Sequence, residues 1–70
     1  MIRVAVISTS ILSIGYDPKA QLLEVEFTSH SVYDYFNVPA NVYQAFISAL
    51  SKGRYFDSKI RDVYRTRRIG

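Results

Sequence analysis

The chain has 70 residues, 49% of them apolar, with six tyrosines, four phenylalanines, no cysteine and a formal net charge of +3. That length supports one domain around one small core, and the apolar content excludes a disordered chain. Without cysteine there is neither a disulfide framework nor a thiolate metal site, which disfavours a small secreted scaffold and fits a reducing compartment.

Charge is spread unevenly. Up to Leu50, Arg3 and Lys19 face Asp17, Glu24, Glu26 and Asp34, a net of −2. From Ser51 onward Lys52, Arg54, Lys59, Arg61, Arg65, Arg67 and Arg68 face only Asp57 and Asp62, a net of +5. Such asymmetry bears on partners rather than on fold.

In chain order, Ile2, Val4 and Val6 alternate with Arg3 and Ala5, so residues 1–9 read as a lead-in or edge strand interrupted by Ser8-Thr9-Ser10. The apolar start is too short for a signal peptide and no run approaches a membrane span, so the chain is expected to be soluble and cytoplasmic, with no membrane partner. Leu12, Ile14 and Tyr16 fall on one side of the next segment, Ser13 and Gly15 on the other, as in a half-buried strand. Asp17-Pro18-Lys19-Ala20-Gln21 makes a turn. Leu23, Val25 and Phe27 then alternate with Glu24 and Glu26, the clearest strand in the protein. Thr28-Ser29-His30-Ser31 turns the chain again, and Val32-Tyr33-Asp34-Tyr35-Phe36 returns antiparallel.

The length of that second turn decides which face each residue occupies, because a slip of one position flips every side chain. A two-residue loop would bury Asp34 beside Val25 with no evident partner. A three-residue loop puts Tyr33 and Tyr35 on the dry face and Asp34 outside. An unpaired buried carboxylate is the costlier outcome, so the second arrangement is expected.

Pro39 suits the first turn of a helix, and Val42, Ala45, Phe46, Ala49 and Leu50 recur at helical spacing. Gly53 reads as the left-handed stop of that helix, inside the hinge run from Ala49 to Phe56. A second helix is expected from about Asp57, with Phe56, Ile60, Val63 and Tyr64 on one stripe and Arg61 and Arg65 one turn apart beside it. Residues 66–70 are left as a basic tail. The expected fold is a small single α+β domain over residues 1–70: a three-stranded antiparallel meander with two C-terminal helices.

The order of these signals, Ser10-Ile11, Ile14-Gly15-Tyr16, Leu23 to Phe27, Val32 to Pro39, Ser51 to Phe56 and Ile60 to Tyr64, resembles the KTSC family, named for its occurrence at the C-terminus of some lysyl-tRNA synthetases. The match runs from about Val6 to Tyr64. The resemblance implies a compact α+β domain, appended to the synthetase or standing alone, with no established molecular function and a suspected nucleic-acid role. It does not imply aminoacylation. Where this chain has His30, the family often has glycine.

Lys52, Arg54, Arg61 and Arg65, with Tyr55 and Tyr64 interleaved and Arg67 and Arg68 behind them, have the composition of a nucleic-acid surface: cations neutralise phosphates and aromatic faces stack bases. The ordinary alternative is a solvated face whose arginines balance Glu24, Glu26 and Asp34. A third reading is a protein-interaction or structural module, or a homo-oligomer, using Val32, Phe36 or the N-terminal strand. Tyr33 and Tyr35 are read as core residues in preference to an exposed stacking platform. Ser51-Lys52-Gly53 lacks the glycines and strand of a phosphate loop. No enzyme, metal or cofactor is expected: Ser8 and Ser10 have no base, Glu24 and Glu26 share one strand face, and His30 is the sole histidine.

Overall fold

The computed structural model describes residues 1–70. Its elements are β1 (Arg3–Ala5), β2 (Ile11–Asp17), β3 (Leu22–Phe27), β4 (Val32–Tyr35), α1 (Ala40–Ser48), α2 (Lys52–Lys59) and β5 (Thr66–Arg68). The sheet has five strands, in the order β1-β2-β3-β4-β5 with every neighbour antiparallel, where the sequence suggested three. The lead-in is an edge strand, and the expected basic tail is the opposite edge strand.

The parity expected for the hairpin holds. Thr28-Ser29-His30 form a three-residue loop, closed by the Phe27 N–H donating to the Ser31 carbonyl at 2.9 Å and the His30 N–H donating to the Phe27 carbonyl at 2.8 Å. Leu23 therefore opposes Tyr35 and Val25 opposes Tyr33 on the inner face, while Glu24 opposes Asp34 on the outer one. His30 sits at φ 70°, the left-handed position that such loops assign to glycine.

β2 departs from its alternation. A bulge between Ile11 and Ser13 adds one residue opposite β3, so Ile11 and Ile14 both turn inward. Leu12, expected inside with Ile14, is only half-buried.

The helices also differ from expectation. α1 ends at Ser48, Ala49 is extended at ψ 139°, and Ser51 caps α2 by accepting from the Arg54 N–H at 3.3 Å. α2 thus begins five residues before Asp57. Of the expected stripe Phe46 is fully buried and Val42 half-buried, whereas Ala45 and Leu50 are exposed. Gly53 lies inside α2 at an ordinary helical φ and stops nothing. A Cβ there would come 2.9 Å from Ser10 Oγ, so glycine admits the β1–β2 connection against the helix. After Lys59 the chain does not continue as a helix; Asp62 turns it at φ 61° into β5, which leaves Val63 exposed.

The core lies between the inner sheet face and the helices: Ile11, Ile14, Leu23, Val25, Tyr35, Val38, Phe46, Phe56 and Ile60. Aromatic pairs tie the layers together. Tyr16 stacks on Tyr43 at 4.6 Å and donates to the Val38 carbonyl at 2.6 Å, and Phe56 meets Tyr35 edge-on at 5.5 Å.

Candidate nucleic-acid interface

The sequence grouped eight residues as one basic and aromatic surface, and the fold distributes them. Lys52 and Arg54 sit in the first turn of α2, where the positive end of the helix dipole adds to their charge. The Lys52 ammonium donates to the Ala49 carbonyl at 3.0 Å, and Arg54 is exposed. Arg61 lies past the end of α2, its Nε donating to Asp57 at 2.9 Å and its guanidinium 5.3 Å from the Phe56 ring centre. Arg61 and Arg65 are not one helical turn apart, because the chain between them is a turn; Arg65 enters β5 with its carbonyl accepting from the Phe36 N–H at 3.0 Å.

Strand alternation separates the last two cations. Arg67 opposes Asp34 on the outer face, and Arg68 opposes Tyr33 on the inner one. The two interleaved tyrosines are structural here. Tyr55 stacks on Phe46 at 5.8 Å and donates to the Val42 carbonyl at 3.4 Å, and Tyr64 packs half-buried against the core. The eight residues do not form one continuous face.

The balancing of arginines against internal acids is done at the other end of the chain. Arg3 pairs with Glu24, reaches Glu26 at 4.0 Å, and donates to Ser13 Oγ at 3.1 Å, which donates on to Glu26 at 2.9 Å. Among the seven cations after Ser51, Arg61 alone has a salt-bridge partner. Asp34, opposite Glu24 in this outer row, has Oδ1 buried without a hydrogen-bond partner. Burial, with the adjacent Glu24 carboxylate, pushes its pKa up to about 6, against the opposing pull of Arg67 and Arg3.

The inner face carries a feature that sequence reasoning missed. An open cleft of about 390 Å³ lies where β3, β4 and β5 meet α2. β3 and its turn contribute Phe27, Ser29 and Ser31, β4 contributes Tyr33 and Tyr35, β5 contributes Thr66, and α2 with the following turn contributes Phe56 and Arg61. Tyr35 and Phe56 are buried, while Phe27 and Tyr33 are half-buried. Phe27 meets Tyr33 edge-on at 5.9 Å and Phe56 edge-on at 5.2 Å. Thr66 had no signal in the sequence, since its place depends on β5 existing. A second groove of similar volume lies between Ile7-Ser8-Thr9 and Leu50-Ser51-Lys52-Gly53. No His, Cys, Asp or Glu side chains gather in threes around a metal-sized space, and no helix is long and apolar enough to cross a membrane.

Fold and surface together define a small α+β domain: an antiparallel sheet with two helices on one face and an aromatic cleft with Arg61 in its lining. The chain belongs to the KTSC domain family, whose model matches residues 7–64. It is similar to an uncharacterized protein from Stutzerimonas stutzeri, 53% identical over 57 residues that cover 81% of this chain and 80% of that protein. A lysine–tRNA ligase from a Nostoc species is 42% identical over 50 residues, which cover 71% of this chain and 9% of the ligase. Among solved structures, a KTSC domain protein from Yersinia pestis superposes with a TM-score of 0.96 at 46% identity, over 99% of this chain and 97% of that one.

Proposed function

We propose that the domain is a non-catalytic binding module that meets the phosphates of RNA or DNA through the cations of its C-terminal third. The observation that supports this most is the missing acid partners: Arg3 occupies Glu24 and Glu26, and Arg54 and Arg65 stand exposed with no salt-bridge partner, while Arg68 donates only to the Gly70 oxygen at 2.9 Å. Exposed, unpaired arginines release counterions on meeting phosphate, which is the main source of sequence-independent affinity. The similarity to part of a lysine–tRNA ligase places relatives of this domain within a protein named for its action on tRNA, and that supports the same reading.

The test is a salt titration of the full chain against labelled oligonucleotides. Affinity falls linearly in log–log form with a slope set by the number of phosphates neutralised, and Arg54→Glu with Arg65→Glu flattens that slope without lowering the melting temperature. Absence of binding to every oligonucleotide at low ionic strength refutes the reading.

A second reading rests on a different observation. Ile2 and Val4 on the open β1 edge, with Ile7 and Leu50 flanking the second groove, are exposed at 89%, 54%, 99% and 106%. An uncovered apolar edge is a template for pairing with another chain. Val32 is not part of this surface, because the C-terminal Gly70 lies against it. Sedimentation over a concentration range distinguishes the readings: self-association abolished by Val4→Lys favours a protein interface.

A further inference from the structure

We propose that the cleft between the β3–β4–β5 end of the sheet and α2 seats one unpaired nucleobase of a single strand, with Arg61 at its rim meeting the adjoining phosphate. The inference rests on the nucleic-acid reading above and narrows it from phosphate contact to a site with a definite occupant.

Four observations carry it. First, the fold uses Tyr33 only in part. Its ring packs half-buried at the edge of the core, and its hydroxyl, unlike those of Tyr16 and Tyr55, donates to no protein atom. Second, the rings meet edge to face, with Phe27 at 76° to Tyr33 and 73° to Phe56, so the aromatic lining is not closed by stacking on itself. A flat base can therefore lie on an exposed ring face, as bases do on the sheets of single-strand binders.

Third, the rim has the sign and the hydroxyls that a nucleotide requires. Arg61 lines the cleft and no acidic residue does, although Asp62 lies near enough to act on Tyr35; Arg68, donating to the Gly70 oxygen at 2.9 Å, stands across from Tyr33 on the same sheet face. The present partner of Arg61 is Asp57, in a pair whose side chains are 58% and 62% exposed. A pair so open to water contributes little, so Arg61 exchanges Asp57 for a phosphodiester of the same charge at little cost. Ser29 and Ser31, hydrogen-bonded to each other at 3.1 Å, supply donors and acceptors for a base edge. Fourth, the volume of about 390 Å³ is near the lower end of small-molecule sites, roughly 300–1,000 Å³. It has room for one base, and only an unpaired base can turn out of its strand to offer its face to the ring.

The experiment compares a short labelled single strand, in RNA and DNA arms, with a duplex of the same sequence, by anisotropy at low salt. The variants are Tyr33→Leu, which keeps apolar bulk, and Tyr33→Phe, which keeps the ring. The expected result is a single strand bound at least tenfold tighter than duplex. Tyr33→Leu loses roughly tenfold on the single strand and nothing on duplex, while Tyr33→Phe retains the wild-type preference. Circular dichroism melts of both variants verify folding, and Ser31→Leu, which fills the cleft from a turn without adding charge, gives the same loss if Tyr33→Leu fails to fold. Equal affinity for single strand and duplex, or an unchanged affinity in folded Tyr33→Leu, overturns the cleft while leaving phosphate binding intact. No binding to any oligonucleotide overturns both. A preference for the RNA arm over the DNA arm assigns the strand to RNA, and equal arms assign the site to either, each consistent with a seated base.

Discussion

Asp34→Asn gives the sharpest test of the outer sheet face. Asp34 and Glu24 oppose each other across β3 and β4, with Arg3 beside Glu24 and Arg67 beside Asp34, and Oδ1 of Asp34 is buried without a partner. Its pKa is raised from 3.8 to about 6, first by burial and then by Glu24. A folded-state value above the unfolded one means that the folded chain binds the extra proton between those limits. Stability is therefore highest below the unfolded value and falls as pH rises through about 6. The full shift corresponds to at most about 3 kcal/mol, and solvent screening of the partly exposed side chain reduces it to on the order of 1–2 kcal/mol. In Asp34→Asn the amide donates to Glu24 at every pH, so the variant matches wild type near pH 4 and exceeds it by that amount above pH 7. For a domain of this size each kcal/mol moves the melting temperature by roughly 4–8 °C. Urea or thermal melts of both proteins across that range supply the difference curve, in which the titration of other carboxylates cancels. A flat difference curve, or a variant less stable than wild type above pH 7, refutes the raised pKa of Asp34.

Two further substitutions test the corrected backbone. His30→Gly relieves a side chain held at φ 70°, a cost of about 1–2 kcal/mol offset by about 0.4–1 kcal/mol of added unfolded-chain freedom, so urea melts show a net gain of up to about 1 kcal/mol. Gly53→Ala gains up to about 1 kcal/mol of helix propensity in a Ser10→Gly background and distinctly less with Ser10 present, because the new methyl meets Ser10 Oγ. A double-mutant cycle by denaturant melts reads the coupling, and additivity of the two changes refutes the close approach.

How far the residues alone reach differs by element. β3 was legible because Leu23, Val25 and Phe27 alternate with two glutamates, a period that only a half-buried strand satisfies. The faces of β4 were legible because burying Asp34 among apolar neighbours costs more than any turn preference. That argument placed Asp34 on the correct face, although Glu24 and the flanking strands still bury part of it. The helix boundaries were not legible. Gly53 satisfies a left-handed stop and a close approach equally well, and nothing local distinguishes them; the nearness of Ser10 does.

Local periodicity and the cost of an unpaired charge determined the central meander, the apolar core and the excess of positive charge after Ser51. Only the folded chain decided that Thr66-Arg67-Arg68 is a strand, because its stabilisation comes from the backbone of β4, distant in sequence, and not from any pattern of its own. That pairing then sends Arg67 and Arg68 to opposite faces and brings Thr66 to the cleft. A cleft assembled from three strands and a helix end depends on which chain segments become neighbours, and that information is non-local.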